Sequence, residues 1–323
     1  MPNNHSRGPA VICLMGPTAC GKTRLAVELV QQRPVEIISV DSAQVYRDMN
    51  IGSGKPDSAT LKLAPHRLID IRDPAEPYSA ADFRQDALQQ IREVISKGRT
   101  PLLVGGTMLY FKVLRDGLAD LPVADPDIRR QIDRLAELQG WQAVHDRLAE
   151  VDPASAQRIH PNDPQRLQRA LEVYMVTGRS MTQIHKTGRI EAAAGTGFPF
   201  SLYFLAIQPE DRSVLHSVID KRFREMLFDG LVEEVETLFR REDLNPDLPS
   251  IRSVGYRQVW QYLAGDLSYD GMVEKGIIAT RQLAKRQMTW LRSWSDLHVL
   301  TTELTGQKKS LDNALKFVDS VSI

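Results

Sequence analysis

The stretch Gly16-Pro17-Thr18-Ala19-Cys20-Gly21-Lys22-Thr23 fits the pattern G-x-x-x-x-G-K-[ST], and its setting constrains this chain more than any other feature. The apolar run Val11-Ile12-Cys13-Leu14-Met15 before it reads as a buried strand. Thr23 to Gln32 after it has helical spacing, with Leu25, Ala26 and Leu29 on one side. Strand, glycine loop and helix in that order make a phosphate cradle. Backbone N–H groups turn inward around phosphate oxygens, and the helix N-terminus favours negative charge. Lys22 supplies a point charge for the terminal phosphates, and the Thr23 hydroxyl is placed to hold Mg²⁺. The loop is therefore expected to bind a di- or triphosphate.

The surrounding pattern extends this to a fold class. Val35 to Val40 reads as a strand ending in Asp41-Ser42, Ser79 to Lys97 as a helix, and Pro101 to Val104 as a strand ending in Gly105-Gly106-Thr107. Such alternation predicts an α/β core, a P-loop NTPase-like parallel sheet with helices on both faces. Ligands of such sheets sit at the carboxyl ends of the strands, so the phosphate loop, Asp41-Ser42 and Gly105-Gly106-Thr107 are expected to share one cleft. From Leu121 the strand-like runs stop and helical spacing takes over, as in Ile128, Ile132, Leu135 and Leu138. A second helix starts at Asn162-Asp163-Pro164, a cap residue before a first-turn proline, and stops near Gly178. Glu191 to Gly197 reads as a linker, and Leu202 to Ile207 as a return to the sheet. The expected organisation is a helical insertion domain at 121–197 within a core formed by 1–120 and 198–323.

Composition narrows the class. With 42% hydrophobic and 25% charged residues the chain is ordinary for a folded protein, and its zero net charge confines any nucleic-acid surface to a local patch. No apolar run approaches the ~18 residues of a membrane span, and Met1 to Ala10 does not read as a signal peptide. Two cysteines, Cys13 and Cys20, make neither a disulfide framework nor a zinc site. A cytoplasmic enzyme is the expected class.

The chemistry is less direct. Motor and signalling ATPases carry an apolar strand ending in an acidic residue that helps hold Mg²⁺. Here Leu102-Leu103-Val104 ends in glycines, and Leu68-Ile69-Asp70 reads as a turn. Asp41 is the best-placed carboxylate. It serves equally well as a cap on the next turn, but its position after the strand following the loop helix favours catalysis. Lys275 to Arg292 holds five basic residues and no acidic one. Helical phase puts Arg281, Lys285 and Arg292 on one side and Leu283, Trp290 and Trp294 on another, an arrangement that a solvated amphipathic helix also explains. Arg252-Ser253-Val254-Gly255-Tyr256-Arg257 adds two arginines beside an aromatic, a combination suited to looped RNA. The histidines show no metal-ligand spacing.

Taken together and in order, these segments resemble the tRNA dimethylallyltransferase (tRNA isopentenyltransferase) family, in its bacterial type. They are Gly16 to Thr23, Asp41-Ser42-Ala43-Gln44-Val45-Tyr46, Gly52-Ser53-Gly54-Lys55-Pro56 and Leu103-Val104-Gly105-Gly106-Thr107-Met108-Leu109-Tyr110. Further on come Asn162 to Val173, Gly255-Tyr256-Arg257-Gln258 and Thr280 to Gln287. Cys20 departs from the small serine more usual there, and its side chain is expected to point away from the phosphates. The last ~25 residues carry no motif.

The resemblance implies transfer of a dimethylallyl group from dimethylallyl diphosphate to N6 of the adenosine 3′ of the anticodon, with Mg²⁺ as cofactor. It implies Asp41 as general base, Lys22, Thr18 and Thr107 as further catalytic groups, and Gly16 to Thr23 with Arg222 (early in its helix) on the diphosphate. Expected tRNA contacts are Asp41, Ser42, Ala43, Gln44, Thr107, Arg129, Gln165, Arg166, Leu167, Gln168, Arg169, Arg252, Ser253, Val254, Gly255, Tyr256, Arg257, Arg281, Lys285 and Arg286. The insertion would grip the anticodon stem, and the chain is expected to act as a monomer. The rival readings are a small-molecule or nucleotide kinase, which pairs a phosphate loop with a helical lid, and a nucleotide-dependent RNA-binding switch.

Overall fold

The structure, a computed structural model, describes residues 8–118, 121–193, 198–302 and 307–321. In chain order, β1 (Ala10–Met15) leads through the phosphate loop to α1 (Lys22–Gln32) and β2 (Val35–Val40). There follow α2 (Ser58–Leu63), the two-residue β3 (His66–Arg67), α3 (Ala80–Ser96), β4 (Thr100–Gly105) and α4 (Met108–Asp116). Four helices come next: α5 (Pro126–Val151), α6 (Pro153–Arg158), α7 (Pro164–Thr177) and α8 (Met181–Ala193). The chain returns with β5 (Ser201–Pro209), α9 (Arg212–Phe228), α10 (Leu231–Phe239), α11 (Tyr256–Leu263), α12 (Tyr269–Arg292), β6 (Leu297–Thr302) and α13 (Gln307–Val321). The contacts divide it into two compact units, Met1–Arg115 with Pro199–Ile323, and Asp116–Phe198. Of the expected linker at Glu191 to Gly197, residues 191–193 are the end of α8, and 194–197 lie outside the described residues.

In the first unit six parallel strands run in the order β3-β2-β4-β1-β5-β6. Val11 to Met15 have no solvent exposure, as a strand covered on both faces requires. On one face α1 and α13 pack through Leu25, Ala26, Leu29, Ala314 and Val318 onto Ile12, Leu14, Ile37, Leu102 and Leu205. The register sets what matters for the site. Met15 lies opposite Gly105, and Val40 opposite the same Gly105, so three strands end level. The Gly105 backbone passes so close to β2 that an added Cβ would stand 2.0 Å from the Val40 carbonyl oxygen. The neighbours β1 and β4 send their connections opposite ways along the sheet, to β2 and to β5, which opens a crevice at their carboxyl ends.

Two helices depart from the sequence pattern. Gly140, at φ +80°, kinks α5, and Leu138 just before it is 76% exposed. In α12 the buried side is Met272, Val273, Ile277, Ala284, Gln287 and Leu291, rather than Leu283 and Trp290. Trp294 lies beyond the helix end, buried edge-to-face against Phe204 with the Arg115 guanidinium over its ring. Among the described residues, no helix is long and apolar enough to cross a membrane.

The second unit packs α5, α6 and α7 around Ile132, Val144, Leu148, Ala156, Leu167, Ala170 and Leu171. Asp163 caps α7 by accepting the Arg166 N–H, ahead of Pro164 in the first turn. A buried carboxylate joins its two long helices: Glu172 accepts from Arg129 Nε (2.9 Å) and Nη2 (3.1 Å), Arg169 Nη1 (2.7 Å) and the Asp125 N–H (2.8 Å). Burial pushes its pKa up, but the arginines and the amide outweigh that and hold it below the ordinary value. Such a group stabilises the fold fully above its unfolded pKa of about 4.3, and the contribution fades as pH falls through the lower folded value. Glu172→Ala should cost this unit about 3 kcal/mol, the low end for a broken buried pair because both arginines reach solvent. Hydrogen exchange of the α5 and α7 amides reads this out, and the deficit should shrink as the pH is lowered through that range. A deficit just as large in strong acid would rule out the ionised carboxylate as its source.

Candidate active site

The level strand ends open into a cavity of about 730 Å³ in the first unit. Its floor is the phosphate loop, with Ala19 (φ +65°) and Gly21 (φ +87°) in left-handed conformations. Gly21 caps α1 without a side-chain acceptor, so the first-turn amides stay open to a bound anion. Thr18, Lys22 and Thr23 line the cavity. Gly16 and Pro17 do not; their carbonyls accept the Lys22 ammonium at 2.9 and 2.6 Å. Cys20 is buried in the core behind the loop, with Sγ 3.8 Å from Lys22 Nζ.

Above the floor, the ends of β2 and β4 bring Asp41 and Thr107 to the same cavity. Asp41 Oδ1 accepts the N–H groups of Ala43 (2.9 Å) and Gln44 (3.4 Å), so the carboxylate does cap the following turn. Its Oδ2 has no hydrogen-bond partner among the described residues. Both readings of Asp41 are thus open to one side chain, one oxygen for each. Thr107 Oγ1 accepts the Ser42 N–H (3.1 Å) and donates to Ser42 Oγ (3.4 Å), which ties the two strand ends together.

Arg222 reaches the cavity from the second half of α9, not from its start as the sequence suggested. It makes no hydrogen bond or ion pair with any described residue. Desolvation lowers its pKa, and Asp41 only partly opposes the shift. A poorly solvated guanidinium facing a cavity is a site for an anion. Gly54, at φ +61°, makes the room: a Cβ there would stand 2.0 Å from Arg222 Nη2.

At the mouth, Arg252 and Arg286 are exposed and line the cavity beside Trp290 and Leu109. Other expected RNA contacts fall elsewhere. Tyr256 and Leu167 have no exposed surface, so neither side chain can meet a base. Arg281 is held 3.4 Å from Asp220 and from the His216 carbonyl, while Arg257 and Lys285 are exposed but do not line the cavity. In the helical unit, Gln165 and Arg166 are exposed, Gln168 donates to Asp133, and Arg129 and Arg169 are held by Glu172.

Gln287 is a site residue that pattern reading missed, because it sits inside a basic helix and carries no charge. Only 7% exposed, it accepts the Thr18 N–H (2.8 Å) and donates to the Gly106 carbonyl (2.9 Å), bridging the phosphate loop and the end of β4. Its signal was the amide itself, a polar side chain on the buried stripe of α12. Gln287→Leu keeps the bulk but strands both backbone groups, and thermal unfolding should show a loss of about 1–3 kcal/mol. An unchanged melting temperature would mean that the bridge contributes nothing.

Comparison with known proteins identifies the family. The model of the family described as IPP transferase matches residues 44–294. The full-length tRNA isopentenylpyrophosphate transferase of Bacillus halodurans is 32% identical, with 97% of this chain and 96% of that one covered and a TM-score of 0.71. The tRNA delta(2)-isopentenylpyrophosphate transferase of Staphylococcus epidermidis is also 32% identical, at 97% and 99% coverage and a TM-score of 0.67. A eukaryotic dimethylallyltransferase acting on tRNA is 26% identical, with 97% and 80% covered and a TM-score of 0.78. A phosphate loop, a facing carboxylate and an arginine unpaired among the described residues, all in one cavity, thus belong to a chain that is a member of the IPP transferase family.

Proposed function

We propose that this chain transfers a dimethylallyl group from dimethylallyl diphosphate to N6 of the adenosine 3′ of the anticodon in tRNA, releasing diphosphate. The observation that carries this reading is the single cavity holding an anion floor, the unpaired Arg222 and the free Oδ2 of Asp41. The adenine amine is a poor nucleophile because its lone pair is delocalised into the ring. As N6 bonds to C1 of the dimethylallyl group, the C–O bond to diphosphate breaks and its electron pair passes to the leaving group. Loop amides of Ala19 to Thr23, Lys22 and Arg222 meet that growing charge. Lys22 exchanges the Gly16 and Pro17 carbonyls for phosphate oxygens when the substrate enters. Asp41 Oδ2 takes the N6 proton, while Thr18 and Thr107 orient the amine and the diphosphate.

A divalent ion is implied by the diphosphate, and the donors present fit Mg²⁺. The Thr23 hydroxyl is a hard ligand on the cavity wall, and among the described residues no cluster of three or more acidic, histidine or cysteine side chains offers an all-protein cage. That matches an ion which keeps waters and shares substrate phosphates. When bound, Mg²⁺ neutralises leaving-group charge.

The target base must leave its stack to reach the cavity, at a few kcal/mol. Arg252, Arg286 and Trp290 at the mouth suit the phosphates and flanking bases of an RNA loop. The helical unit, through Gln165, Arg166 and the arginines on Glu172, is proposed to hold the anticodon stem. A tRNA substrate argues for action in the cytoplasm, and a partner of that size for a monomer.

Incubating the chain with dimethylallyl diphosphate and unmodified tRNA, then weighing the digested nucleosides, should show one adenosine heavier by a dimethylallyl group. ATP consumption without that product would favour a kinase. Asp41→Asn should lower the rate by roughly 10²–10⁴ with tRNA binding retained; turnover within a few-fold of the parent would remove Asp41 as base. Replacing Arg252 and Arg286 by Gln should flatten the log–log salt dependence of tRNA binding by about 1.4–1.8 units. Coincident salt lines would move the RNA away from this mouth.

A further inference from the structure

Glu234, in the first turn of α10, does not line the cavity yet shapes one of its walls. Its Oε2 accepts the N–H groups of Asn50 and Ile51, both at 2.8 Å. Its Oε1 accepts the Gly52 N–H at 3.1 Å and the Tyr256 hydroxyl at 2.6 Å. The Tyr256 oxygen in turn accepts the Ser53 N–H at 3.2 Å. Four successive backbone donors thus converge on one carboxylate and one buried phenol, an anion nest filled by the protein's own side chain. Among the described residues every hydrogen-bond partner of Glu234 is a donor, so both carboxylate oxygens serve as acceptors. Burial first, and the neighbouring Glu234 charge second, push the Tyr256 pKa up and keep its proton in place to donate.

The residue after this nest is Gly54, whose backbone abuts the Arg222 guanidinium. Gln44 Nε2 reaches the Gly54 carbonyl at 3.3 Å, and the Gly54 N–H bonds the Ile51 carbonyl at 2.9 Å, so the loop has one defined shape. Arg222 has no hydrogen bond or ion pair among the described residues, and packing against this loop sets where its charge lies. We propose that Glu234, assisted by Tyr256, is a positioning residue for prenyl transfer, holding residues 50–54 in the form that seats Arg222 against the diphosphate. This rests on the diphosphate reading of the cavity.

The test is a double-mutant cycle on the full chain with magnesium pyrophosphate as probe, read by calorimetry. Glu234→Gln and Arg222→Ala should each weaken pyrophosphate binding on the order of tenfold, as for loss of a charge-assisted hydrogen bond. The double variant should bind no more weakly than Arg222→Ala alone, and tRNA affinity should be unchanged throughout. Pyrophosphate affinity at the parent level in Glu234→Gln, or losses that multiply in the double variant, would overturn the proposal. So would a loss that falls on tRNA affinity, since Tyr256 adjoins the Arg252 to Gly255 segment. Should Glu234→Gln fail to fold, Tyr256→Phe decides, with a smaller loss that vanishes in the Arg222→Ala background expected and an unaltered affinity counting against. A parent chain without measurable pyrophosphate affinity would sink the diphosphate reading and this proposal with it. Weakening in Arg222→Ala alone would sink only the role of Glu234.

Discussion

The level ending of β1, β2 and β4 is the constraint on which the rest of the site depends. Parallel strands in register place Met15, Val40 and Gly105 side by side, so the residues that follow each have to emerge over the same patch of sheet. The strands are buried on both faces, and a shift of one residue would turn every inward side chain to the opposite helix layer. Register is thereby set by burial in the core rather than by the loops. Gln287 then locks two of the three ends together with a pair of backbone hydrogen bonds.

On that frame the electrostatics are left unbalanced. Lys22 has a resting place on the carbonyls of its own loop, whereas Arg222 is desolvated with no hydrogen bond or ion pair among the described residues. Holding such a cation out of water costs stability, and a bound polyanion offsets the cost. In the proposed transfer these donors would face the leaving group before its charge grows, Lys22 once it has given up its loop carbonyls. Asp41 faces the same cavity with one oxygen spent on a turn and one free, and its charge moderates the strain on Arg222.

Where sequence and structure part, helical phase and burial explain it. Basic residues beside an aromatic at Arg252 to Arg257 suggested a stacking platform, but Tyr256 is spent inside on Glu234, and the exposed aromatic at the mouth is Trp290, one helix later. Arg281 and Arg286 share a helix, yet one meets Asp220 and the other the cavity. Arg129 and Arg169, expected at the tRNA, are both held by Glu172, buried between two helices. Each case turns on what lies opposite a side chain, and periodicity along one element carries no information about that.

What the sequence determined by itself is local and periodic. The buried strands, the phosphate loop with its helix, the cap before Pro164 and the α/β class all follow from residues within a turn or two of each other. Backbone sterics and hydrophobic spacing act over that range. Tertiary structure alone decided that Glu234 fills the nest at 50–53, that Gly54 makes room for an arginine 168 residues later, and that Gln287 clasps Thr18. These pairings depend on distances between elements, which are set only when the core has packed and unpaired polar groups must find partners inside it.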